Sequence, residues 1–557
     1  MKLNGAEIIV TCLKEQGVDT IFGFPGGAVL NIYDALYKNR DSIRHILTSH
    51  EQGAAHAADG YARSTGKVGV VFATSGPGAT NLVTGLATAY MDSIPMVAFT
   101  GNVPTGLLGK DSFQEVDISG ITMPITKHNY IVKDIATLAD TIRSAFKIAR
   151  EGRPGPVLID VPKDVTAAVT TFVPATIDAY VPSEDSVKQS ALDKTIKLLK
   201  SSARPMLYVG GGVIRSNAQE ELAEFLEHID APMGVSLMGN GAVDTGHPRF
   251  TGLIGMHGTR VSNIAVSNCD VLVVIGARFS DRVVSKASAF ARKAKVIHID
   301  VDPAEINKNI MTYHHVIGDI KVVLRKLNTM LPKPLQHTEW MEQIAKWKVE
   351  HPVKIAGETR RPAEIIRSLA KVMPEDGIVV TEVGQHQMWA AQFYRHTPKS
   401  KFLTSGGLGT MGYGTGASIG AQVGNPSKRV VNIAGDGSFK MNCNELATIS
   451  RYKLPVIILI MNNHTLGMVR QWQTLFYEER YSETTLDTEI DWVALAQAFG
   501  VKGMRLTIED DPEAVLSAAL SLDGPVVIDC EIPLDNKVYP MVAPGASIEE
   551  MIEEIID

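Results

Sequence analysis

The sequence has few cysteines, no long apolar run and no surplus of positive charge. Its 557 residues include four widely separated cysteines and no Cys-x-x-Cys pair, which argues against a zinc site and against a disulfide framework. Isolated thiols are typical of a reducing compartment. The 61 acidic residues outnumber the 54 basic ones, giving a net charge of −7, so no basic surface points to nucleic acid.

Membrane insertion and secretion are not indicated either. The longest obvious apolar run, LPVIILIM at 454–461, is strand-sized, whereas a membrane span needs roughly 18 residues. The N-terminus has the pattern of an amphipathic helix followed by a strand, and it lacks the small-residue cleavage site of a signal peptide. We therefore predict a cytoplasmic protein; a trimmed organellar precursor stays open as an alternative.

Short β-branched runs alternate with helical patterns along the whole chain, for example VGVVFAT, RVVNIAGDG and PVIILIMNN. This alternation predicts parallel α/β sheets, and the chain is too long for a single core. Two stretches interrupt the pattern: residues 166–190 show no clear period, and residues 331–361 are polar and flanked by prolines. We predict three parallel-sheet α/β domains, at residues 1–170, 190–332 and 360–557.

The first and third predicted domains share a sequence pattern. A Gly-Pro-Gly turn at 76–78 and a Gly-Asp-Gly turn at 435–437 are each followed by Leu-Ala-Thr, at 86–88 and 446–448. In both, a proline and an apolar strand that ends in asparagine come next. The pattern predicts two copies of one strand–turn–helix–strand unit, and similar domains can form a joint site at their interface.

The Gly-Asp-Gly turn lies in the stretch NIAGDGSFKMNCNELATISRYKLPVIILIMNN, at 432–463. Asp436 follows one apolar strand and Asn463 ends the next. Because parallel strands end at one edge of the sheet, about 4.8 Å apart, both side chains can reach one cation. Mg²⁺ takes few protein oxygens plus phosphate oxygens. The stretch therefore predicts a magnesium site that holds a diphosphate, with Gly435 and Gly437 allowing close approach; alternatively, Asp436 only caps the helix.

Gly-Asp-Gly followed about 25 residues later by Asn-Asn resembles the signature of thiamine diphosphate enzymes. The resemblance covers the whole chain, which is similar to the large catalytic subunits of the acetohydroxyacid (acetolactate) synthase family. It implies a pyrimidine-binding domain, a central FAD-type domain and a diphosphate-binding domain, with thiamine diphosphate, Mg²⁺ and FAD as cofactors. It also implies that Asp436, Asn463 and the main-chain carbonyl of Thr465 hold the metal, although relatives often have histidine at the third position.

Glu51, in TSHEQGAAHAADGYAR, follows a predicted strand and starts a helix. From its position alone it could be a helix-start acid favoured by the macrodipole. His50 and His56 are six residues apart rather than the four of a metalloprotease zinc motif, so we reject a zinc site. The resemblance implies that Glu51 contacts the pyrimidine ring of the cofactor and promotes the proton relay that activates it.

The resemblance also assigns residues to the rest of the thiamine diphosphate site. The segment EVGQHQ would bind the diphosphate, and GGLGTMGYG would lie along the rings, with Met411 either bending the cofactor or acting as a core methionine. The implied contacts are Val383, Gly384, Gln385, His386, Gly409, Met411, Gly435, Gly437, Ser438 and Met468.

The central domain contains YVGGGV, which is only a partial dinucleotide fingerprint and supports NAD weakly. Together with GMHGT, GARFSDR and HIDVDPAEI, it matches the FAD-binding segments of the family, although each alone could be an ordinary loop. The implied FAD contacts are Arg153, Gly210, Gly211, Gly212, Met256, His257, Gly258, Gly276, Arg278, Asp281, Arg282, Asp300 and Asp319. Because the implied reaction is not a redox reaction, FAD would be structural or vestigial.

Substrate choice is implied by Trp472, in GMVRQWQ, since a tryptophan at this position in the family favours 2-ketobutyrate. An isolated tryptophan would otherwise be interpreted as a core aromatic. Gly27, Phe113, Gln114 and Lys163 match channel residues from another domain, and Lys163 either attracts a carboxylate or is a solvated loop lysine. The implied catalytic residues are Glu51, Gln114, Lys163 and Trp472.

The resemblance implies the acetohydroxyacid synthase reaction. Pyruvate is decarboxylated on thiamine diphosphate, and the two-carbon unit condenses with pyruvate or 2-ketobutyrate to give 2-acetolactate or 2-aceto-2-hydroxybutyrate. Glu51 of one chain is expected to face Asp436 of another across a homodimer interface; tetramers and a small regulatory subunit are common in the family. Two alternatives stay open: another such enzyme (catabolic acetolactate synthase, pyruvate oxidase, simple decarboxylase), or a cofactor-binding scaffold without turnover.

Overall fold

The predicted fold class is confirmed: three sheets, each of six parallel strands, follow one another along the chain. A computed structural model describes residues 1–353, 355, 357, 360–486 and 489–553. Four positions of the predicted boundary at 331–361, namely 354, 356, 358 and 359, lie outside the described residues. Of the described helices, none is long and apolar enough to cross a membrane.

The first domain contains eight strands and eight α-helices. The strands are β1 (Lys2–Asn4), β2 (Thr20–Gly23), β3 (Arg44–Leu47), β4 (Gly69–Ala73), β5 (Met96–Asn102), β6 (His128–Ile131), β7 (Pro156–Pro162) and β8 (Val169–Thr171). The helices are α1 (Gly5–Glu15), α2 (Leu30–Lys38), α3 (Glu51–Thr65), α4 (Pro77–Thr80), α5 (Val83–Asp92), α6 (Ile118–Thr122), α7 (Ile135–Arg150) and α8 (Lys163–Ala167). The parallel sheet has the order β3-β2-β4-β5-β7-β6.

The stretch from residue 166, which shows no clear period in the sequence, contains β8. This three-residue strand pairs antiparallel with β1, and the pair forms a separate two-stranded sheet. Three residues are too few to give a recognisable alternation of apolar and polar side chains, which is why the sequence did not indicate a strand here.

The central domain has the second parallel sheet. Its strands are β9 (Pro205–Val209), β10 (Met233–Val235), β11 (Phe250–Leu253), β12 (Val271–Ile275), β13 (Lys295–Asp300) and β14 (His314–Ile317), in the order β11-β10-β9-β12-β13-β14. The helices of this region are α9 (Gln189–Lys200), α10 (Gly211–Arg215), α11 (Gln219–Ile229), α12 (Arg260–Asn268), α13 (Asp281–Val284), α14 (Ile320–Met330) and α15 (Thr338–Glu350).

Helix α15 lies within the polar stretch that the sequence indicated as a boundary. Its Trp340 and Ile344 are buried, and Trp340 Nε1 donates a hydrogen bond to the carbonyl of Pro205 at 2.9 Å. A helix that is polar on most of its surface therefore packs onto the central domain through a narrow apolar face.

The third domain has the third parallel sheet and the C-terminal segment. Its strands are β15 (Ile378–Thr381), β16 (Lys401–Leu403), β17 (Val430–Gly435), β18 (Val456–Asn462), β19 (Lys502–Leu506), β20 (Val526–Glu531), β21 (Met541–Val542) and β22 (Met551–Ile552). Its helices are α16 (Arg360–Val372), α17 (Gln385–Phe393), α18 (Tyr413–Gly424), α19 (Asp436–Asn442), α20 (Leu446–Arg451), α21 (Gly467–Phe476), α22 (Trp492–Ala498) and α23 (Pro512–Leu520). The sheet order is β16-β15-β17-β18-β20-β19.

The central strands of the sheets are covered by helices on both faces. Every residue of β4, β5, β7, β17 and β18 is buried. This explains why their sequences are continuous apolar runs rather than alternating ones.

The first and third domains pack together through α3 and α18. Small residues allow the close approach: a β-carbon at Gly416 would lie 2.8 Å from the β-carbon of His56. The hydroxyl of Tyr413 donates to Asp59 Oδ1 at 2.7 Å across the same contact. This packing fixes how the carboxyl edges of the two sheets are oriented within one chain.

Candidate active site

Polar side chains collect at the carboxyl edge of the third sheet. Asp436 begins α19 directly after β17, and Asn463 follows β18, the neighbouring strand. Both are buried, and the backbone N–H of His464 hydrogen-bonds the Asp436 carboxylate. Asn463 Nδ2 donates to Gln385 Oε1, at the start of α17, at 3.4 Å. Thr465, the third predicted metal ligand, is also buried.

The Asp436 carboxyl lies where its negative charge is unfavourable. Burial raises its pKa to about 7, the nearby Asp529 adds to the rise, and three backbone hydrogen bonds only partly offset it. A divalent cation beside the carboxylate would favour its ionised form. The described residues contain no cluster of three or more His, Cys, Asp or Glu side chains suited to a metal, so a cation here needs amide, carbonyl or ligand oxygens as well.

His386 lies between two glycines that leave no room for a side chain. A β-carbon at Gly435 would be 2.7 Å from His386 Nδ1, and one at Gly384 would be 2.8 Å from His386 Cε1. Burial lowers the pKa of His386 to about 3, so the ring is neutral at physiological pH. Its Nε2 is buried without a hydrogen-bond partner among the described residues. An unpartnered polar atom of this kind can form a hydrogen bond with a bound group.

Glu382 connects three of the predicted cofactor segments. It is fully buried, and its Oε1 accepts from the backbone N–H of Thr415 at 2.9 Å. Its Oε2 accepts from the hydroxyl of Ser438 at 3.0 Å, and Ser438 Oγ accepts in turn from the backbone N–H of Gly412 at 3.2 Å. Glu382 directly precedes Val383, so one carboxylate aligns the start of α17, the 409–413 loop and the start of α19.

A cavity of about 1900 Å³ opens between the three domains. The third domain contributes Gly409 and Trp472 to its lining. The guanidinium of Arg282 lies over the ring of Trp472, with its central carbon 5.8 Å from the centroid of that ring. The predicted site residues that line the cavity are Arg153, Gly211, Gly212, Met256, His257, Gly276, Arg278, Asp281, Arg282, Asp300, Asp319, Val383, Gly384, Gly409, Met468 and Trp472.

The other predicted residues of the third and central domains do not line this cavity. They are Gly210, Gly258, Gln385, His386, Met411, Gly435, Asp436, Gly437, Ser438, Asn463 and Thr465. Gly210 and Gly258 lie next to lining residues in the chain. Met411, in the loop before α18, and Gly437, on α19, are half-buried. The others belong to the buried strand-end cluster described above, beside Val383 and Gly384 at the wall of the cavity.

The predicted catalytic residues of the first domain collect at the carboxyl edge of their own sheet. Glu51 follows β3, Gln114 follows β5 and Lys163 follows β7. Asn81 Nδ2 donates to Glu51 Oε2 at 2.9 Å, while Gln114 and Lys163 are exposed. None of these three predicted catalytic residues lines the cavity. One chain therefore does not bring Glu51 together with Trp472, and their roles stay predictions.

The whole chain is similar to known proteins. Family models for thiamine pyrophosphate enzymes match three segments: the N-terminal TPP binding domain at 3–121, the central domain at 192–327 and the C-terminal TPP binding domain at 382–530. The acetolactate synthase isozyme 2 large subunit of Escherichia coli (strain K12) is 46% identical over 99% of this chain and 100% of its own length. The chain belongs to the acetolactate synthase large-subunit family.

Other members of the family show the same extent of similarity. The acetolactate synthase large subunit of Parasynechococcus marenigrum (strain WH8102) is 47% identical, over 99% of this chain and 91% of that protein. The probable acetolactate synthase large subunit of Methanocaldococcus jannaschii is 46% identical, over 99% of this chain and 96% of that protein. The family resemblance recognised in the sequence is thus confirmed.

The residues of the third domain fit the diphosphate of the family's thiamine cofactor. The ring of His386 hydrogen-bonds the backbone of Glu382, so its unpartnered Nε2 can donate to a phosphate oxygen only in the protonated ring, which a nearby phosphate charge would favour. The N-terminus of α17 has no side-chain cap at Gly384. Helix N-termini with free N–H groups bind anions. The carboxylate of Asp436 and the amide oxygen of Asn463 are suitable oxygen donors for Mg²⁺.

The central part of the cavity fits a dinucleotide. A β-carbon at Gly212 would be 2.6 Å from the α-carbon of Gly276, so the β9–α10 turn and the end of β12 touch through their backbones. Two arginines, Arg153 and Arg278, lie in the cavity wall. Arg278 can bind an anionic group, whereas Arg153 Nη1 is paired with Glu305 at 2.8 Å. These features suit the phosphates of a flavin dinucleotide.

The sequence interpretation missed three residues that contact the site. Glu382 directly precedes Val383, and an acid at the end of an apolar strand was a usable signal. Arg215 follows the glycine run by three residues and lines the cavity. Asp92 hydrogen-bonds the backbone of the 406–407 segment, and because the two are more than 300 residues apart, no local pattern indicated it.

Proposed function

We propose that this chain is the catalytic subunit of an acetohydroxyacid synthase. It decarboxylates pyruvate and joins the two-carbon unit to pyruvate or 2-ketobutyrate, giving 2-acetolactate or 2-aceto-2-hydroxybutyrate. The observation that carries the proposal is the buried cluster of Asp436, Asn463 and the unpartnered His386 beside the cavity, in a chain similar over its whole length to acetolactate synthases.

Thiamine diphosphate, when bound, supplies a nucleophilic carbon and accepts the electrons released by decarboxylation. In this proposal Asp436, Asn463 and the carbonyl of Thr465 hold Mg²⁺. His386 Nε2 and the N–H groups at the start of α17 bind the diphosphate. A buried site of this kind excludes water, and exclusion of water protects a reactive carbon from protonation.

FAD is part of the proposal as a second cofactor in the central part of the cavity. Arg153, Arg278 and the glycine run at 210–212 would hold it. The reaction transfers no electrons to an acceptor, so the flavin would have a structural role rather than a redox one.

We further propose that the active site is completed by a second copy of the chain. Glu51, Gln114 and Lys163 lie at the carboxyl edge of the first sheet and do not line the cavity of their own chain. Large apolar side chains are exposed on both edges, among them Phe113, at 88% exposure, and Met441 and Val469 of the third domain. Exposed apolar patches of this kind favour a protein interface.

The partners in the proposal are pyruvate and 2-ketobutyrate, a second or further copies of this chain, and a small regulatory subunit, since the relatives are named large subunits. The four cysteines are free thiols, of which three are buried. Free thiols and a biosynthetic reaction fit a cytoplasmic location.

A product assay tests the proposed function. The purified protein is incubated in aerated phosphate buffer with pyruvate, thiamine diphosphate, Mg²⁺ and FAD, and the products are identified by mass spectrometry. We expect 2-acetolactate, with 2-aceto-2-hydroxybutyrate appearing when 2-ketobutyrate is added. Acetaldehyde as the main product would indicate a simple decarboxylase. Acetyl phosphate with oxygen consumption would indicate a pyruvate oxidase.

Replacing Trp472 with leucine is expected to lower the preference for 2-ketobutyrate over pyruvate about tenfold. The side chain lines the cavity, and removing packing area from an apolar pocket changes discrimination by roughly 1–3 kcal/mol. The measurement is the product ratio with both substrates in competition. Trp347→Leu is the matched control, because Trp347 is partly buried on α15 and does not line the cavity. An unchanged ratio in Trp472→Leu would remove this residue from the substrate pocket.

A further inference from the structure

The C-terminal end of α5 contacts all three domains at once. Asp92 is the last residue of the helix, and Ser93 follows in a left-handed conformation with φ of 59°. Asp92 is buried, and both residues line the wall of the large cavity. The pair Asp92–Ser93, called the hub turn below, has no role in the proposed chemistry.

On one side, the hub turn holds the loop that carries Gly409. Asp92 Oδ1 accepts from the backbone N–H of Gly407 at 2.7 Å, and Oδ2 accepts from that of Gly406 at 3.1 Å. A β-carbon at Gly407 would lie 2.8 Å from Asp92 Oδ1, so the loop backbone rests directly on the carboxylate. Gly409, a predicted contact of thiamine diphosphate, is two residues further along this loop.

On the other side, the hub turn is held by two arginines that line the central part of the cavity. Arg215 donates from Nη2 to the carbonyl of Asp92 and from Nε to the carbonyl of Ser93. Arg153 Nε donates to Ser93 Oγ at 2.8 Å. Arg215 is the last residue of α10, which begins at the glycine run of the predicted FAD site.

The guanidinium of Arg215 carries a positive charge that can attract an anionic ligand. Burial lowers its pKa to about 10, so it stays protonated at neutral pH. Its hydrogen bonds go to uncharged carbonyl oxygens, and within the described residues it forms no ion pair. A phosphate group in the cavity would be attracted to this guanidinium, because a buried cation gains most from an anionic partner.

The remaining contacts make the hub turn a rigid connection. Arg63, on α3, donates from Nη2 to Asp92 Oδ2 at 2.9 Å and from Nε to Asp59 Oδ1 at 2.6 Å. Its Nη1 donates to the carbonyl of Thr404 at 2.9 Å, at the start of the same loop. The loop and the hub turn therefore share one buried ion-pair network and cannot shift independently.

We propose that the hub turn couples the two cofactor sites, so that a flavin dinucleotide beside Arg215 and thiamine diphosphate beside Gly409 strengthen each other's binding. This inference rests on the proposed function, since both cofactors belong to it. Because the hub turn is a rigid connection, a ligand that repositions Arg215 and Arg153 also repositions the loop, and the second ligand then meets a loop already in its binding position. Arg215 and Asp92 act here as positioning residues.

The test is a pair of equilibrium titrations by calorimetry on the purified protein. FAD is titrated with and without saturating thiamine diphosphate and Mg²⁺, and thiamine diphosphate is titrated with and without saturating FAD. We expect each cofactor to lower the Kd of the other at least about fivefold, and by the same factor in both directions, because coupling is reciprocal. Sedimentation in each state checks that the oligomeric state is the same.

In Arg215→Gln, we expect each cofactor to lower the Kd of the other by less than about twofold, while both cofactors still bind; this ratio of Kd values is the coupling factor. Ser93→Ala, which removes only the hydroxyl that accepts from Arg153, is expected to give an intermediate factor. Arg150→Gln is the matched control: Arg150 also lines the cavity but hydrogen-bonds Gln16 and not the hub turn. Its coupling factor is expected to equal that of the unmodified protein.

The outcomes separate this inference from the proposed function. If both cofactors bind the unmodified protein without affecting each other, the coupling is refuted and the cofactor assignment stands. If the factor is unchanged in Arg215→Gln and Ser93→Ala, the hub turn is not its route. If FAD does not bind the unmodified protein at all, the FAD assignment fails and the coupling fails with it.

Discussion

Replacing Glu51 with glutamine is expected to lower kcat about 10²–10⁴-fold, the usual range for loss of a group that moves a proton. Glutamine has the same shape but cannot hold or release a proton at the side-chain oxygen that is proposed to face the cofactor. Steady-state formation of acetolactate measures the effect, with cofactor concentrations raised until the rate no longer increases.

The surroundings of Glu51 allow this substitution without disturbing the fold. Among the described residues, Asn81 is the one hydrogen-bond donor to its carboxylate, and a glutamine carbonyl can accept that bond equally well. A β-carbon at Gly78 would lie 3.1 Å from Glu51 Oε1, so the carboxylate packs under a glycine, with no bulky side chain on that side. We therefore expect the thermal unfolding midpoint to change little.

Glu445→Gln is the matched control for a buried glutamate with a structural role. The carboxylate of Glu445 accepts from the backbone N–H groups of Ser49 and His50, at 3.0–3.1 Å, and so anchors the segment that leads into Glu51. An amide nitrogen there would face N–H donors, which costs about 1–3 kcal/mol of folding stability. Glu445→Gln should therefore unfold more easily. If Glu51→Gln kept full turnover, Glu51 would have no part in proton transfer.

The domain architecture could be predicted because it follows from local patterns. Strands such as β5 and β18 are buried on both faces, so their apolar character is visible in single short stretches of sequence. The carboxyl-edge positions of Asp436 and Asn463 could be predicted for the same reason: each directly follows a strand. The signature that joins them is confined to one strand–helix–strand unit.

The arrangement between domains could not be predicted in this way. Ser438 lies 56 residues from Glu382, yet the two side chains are hydrogen-bonded. Asp92 lies 315 residues from Gly407, and this contact depends on how α5 and the 404–412 loop pack. Contacts of this kind are set by the relative orientation of packed domains, which leaves no periodic trace in the sequence. For the same reason, the repeated unit predicted a joint site of the first and third domains, but no pattern indicated a cavity shared by all three.

Replacing Asp436 with asparagine is expected to weaken Mg²⁺-dependent binding of thiamine diphosphate by about 10²-fold or more. Loss of groups that only support metal ligands already costs 10–100-fold, and Asp436 is proposed as a direct ligand with the one formal negative charge of the set. Calorimetric titration of the cofactor at several Mg²⁺ concentrations measures the change. In the unmodified protein, removal of Mg²⁺ with EDTA should have a comparable effect, and in Asp436→Asn it should have little further effect.

The stability of the metal-free protein provides an independent check on the same substitution. Burial raises the pKa of Asp436 from 3.8, the ordinary value of an aspartate, to about 7. The ionised carboxylate therefore lowers the stability of the folded state as the pH rises above 3.8, and the loss is complete above pH 7. Asparagine removes this loss, and we expect Asp436→Asn without metal to be at least as stable as the unmodified protein at pH 8. A large loss of stability would mean that poor cofactor binding came from misfolding.

Asp529→Asn separates a metal ligand from a nearby acid. Burial also raises the pKa of Asp529, and its carboxylate accepts from Asn462 Nδ2 at 2.9 Å, but the sequence does not place it in the metal set. Its replacement should change the Mg²⁺ requirement less than tenfold. If Asp529→Asn weakened the binding of thiamine diphosphate as strongly as Asp436→Asn does, binding would depend on the total negative charge at this strand edge rather than on coordination of Mg²⁺ by Asp436.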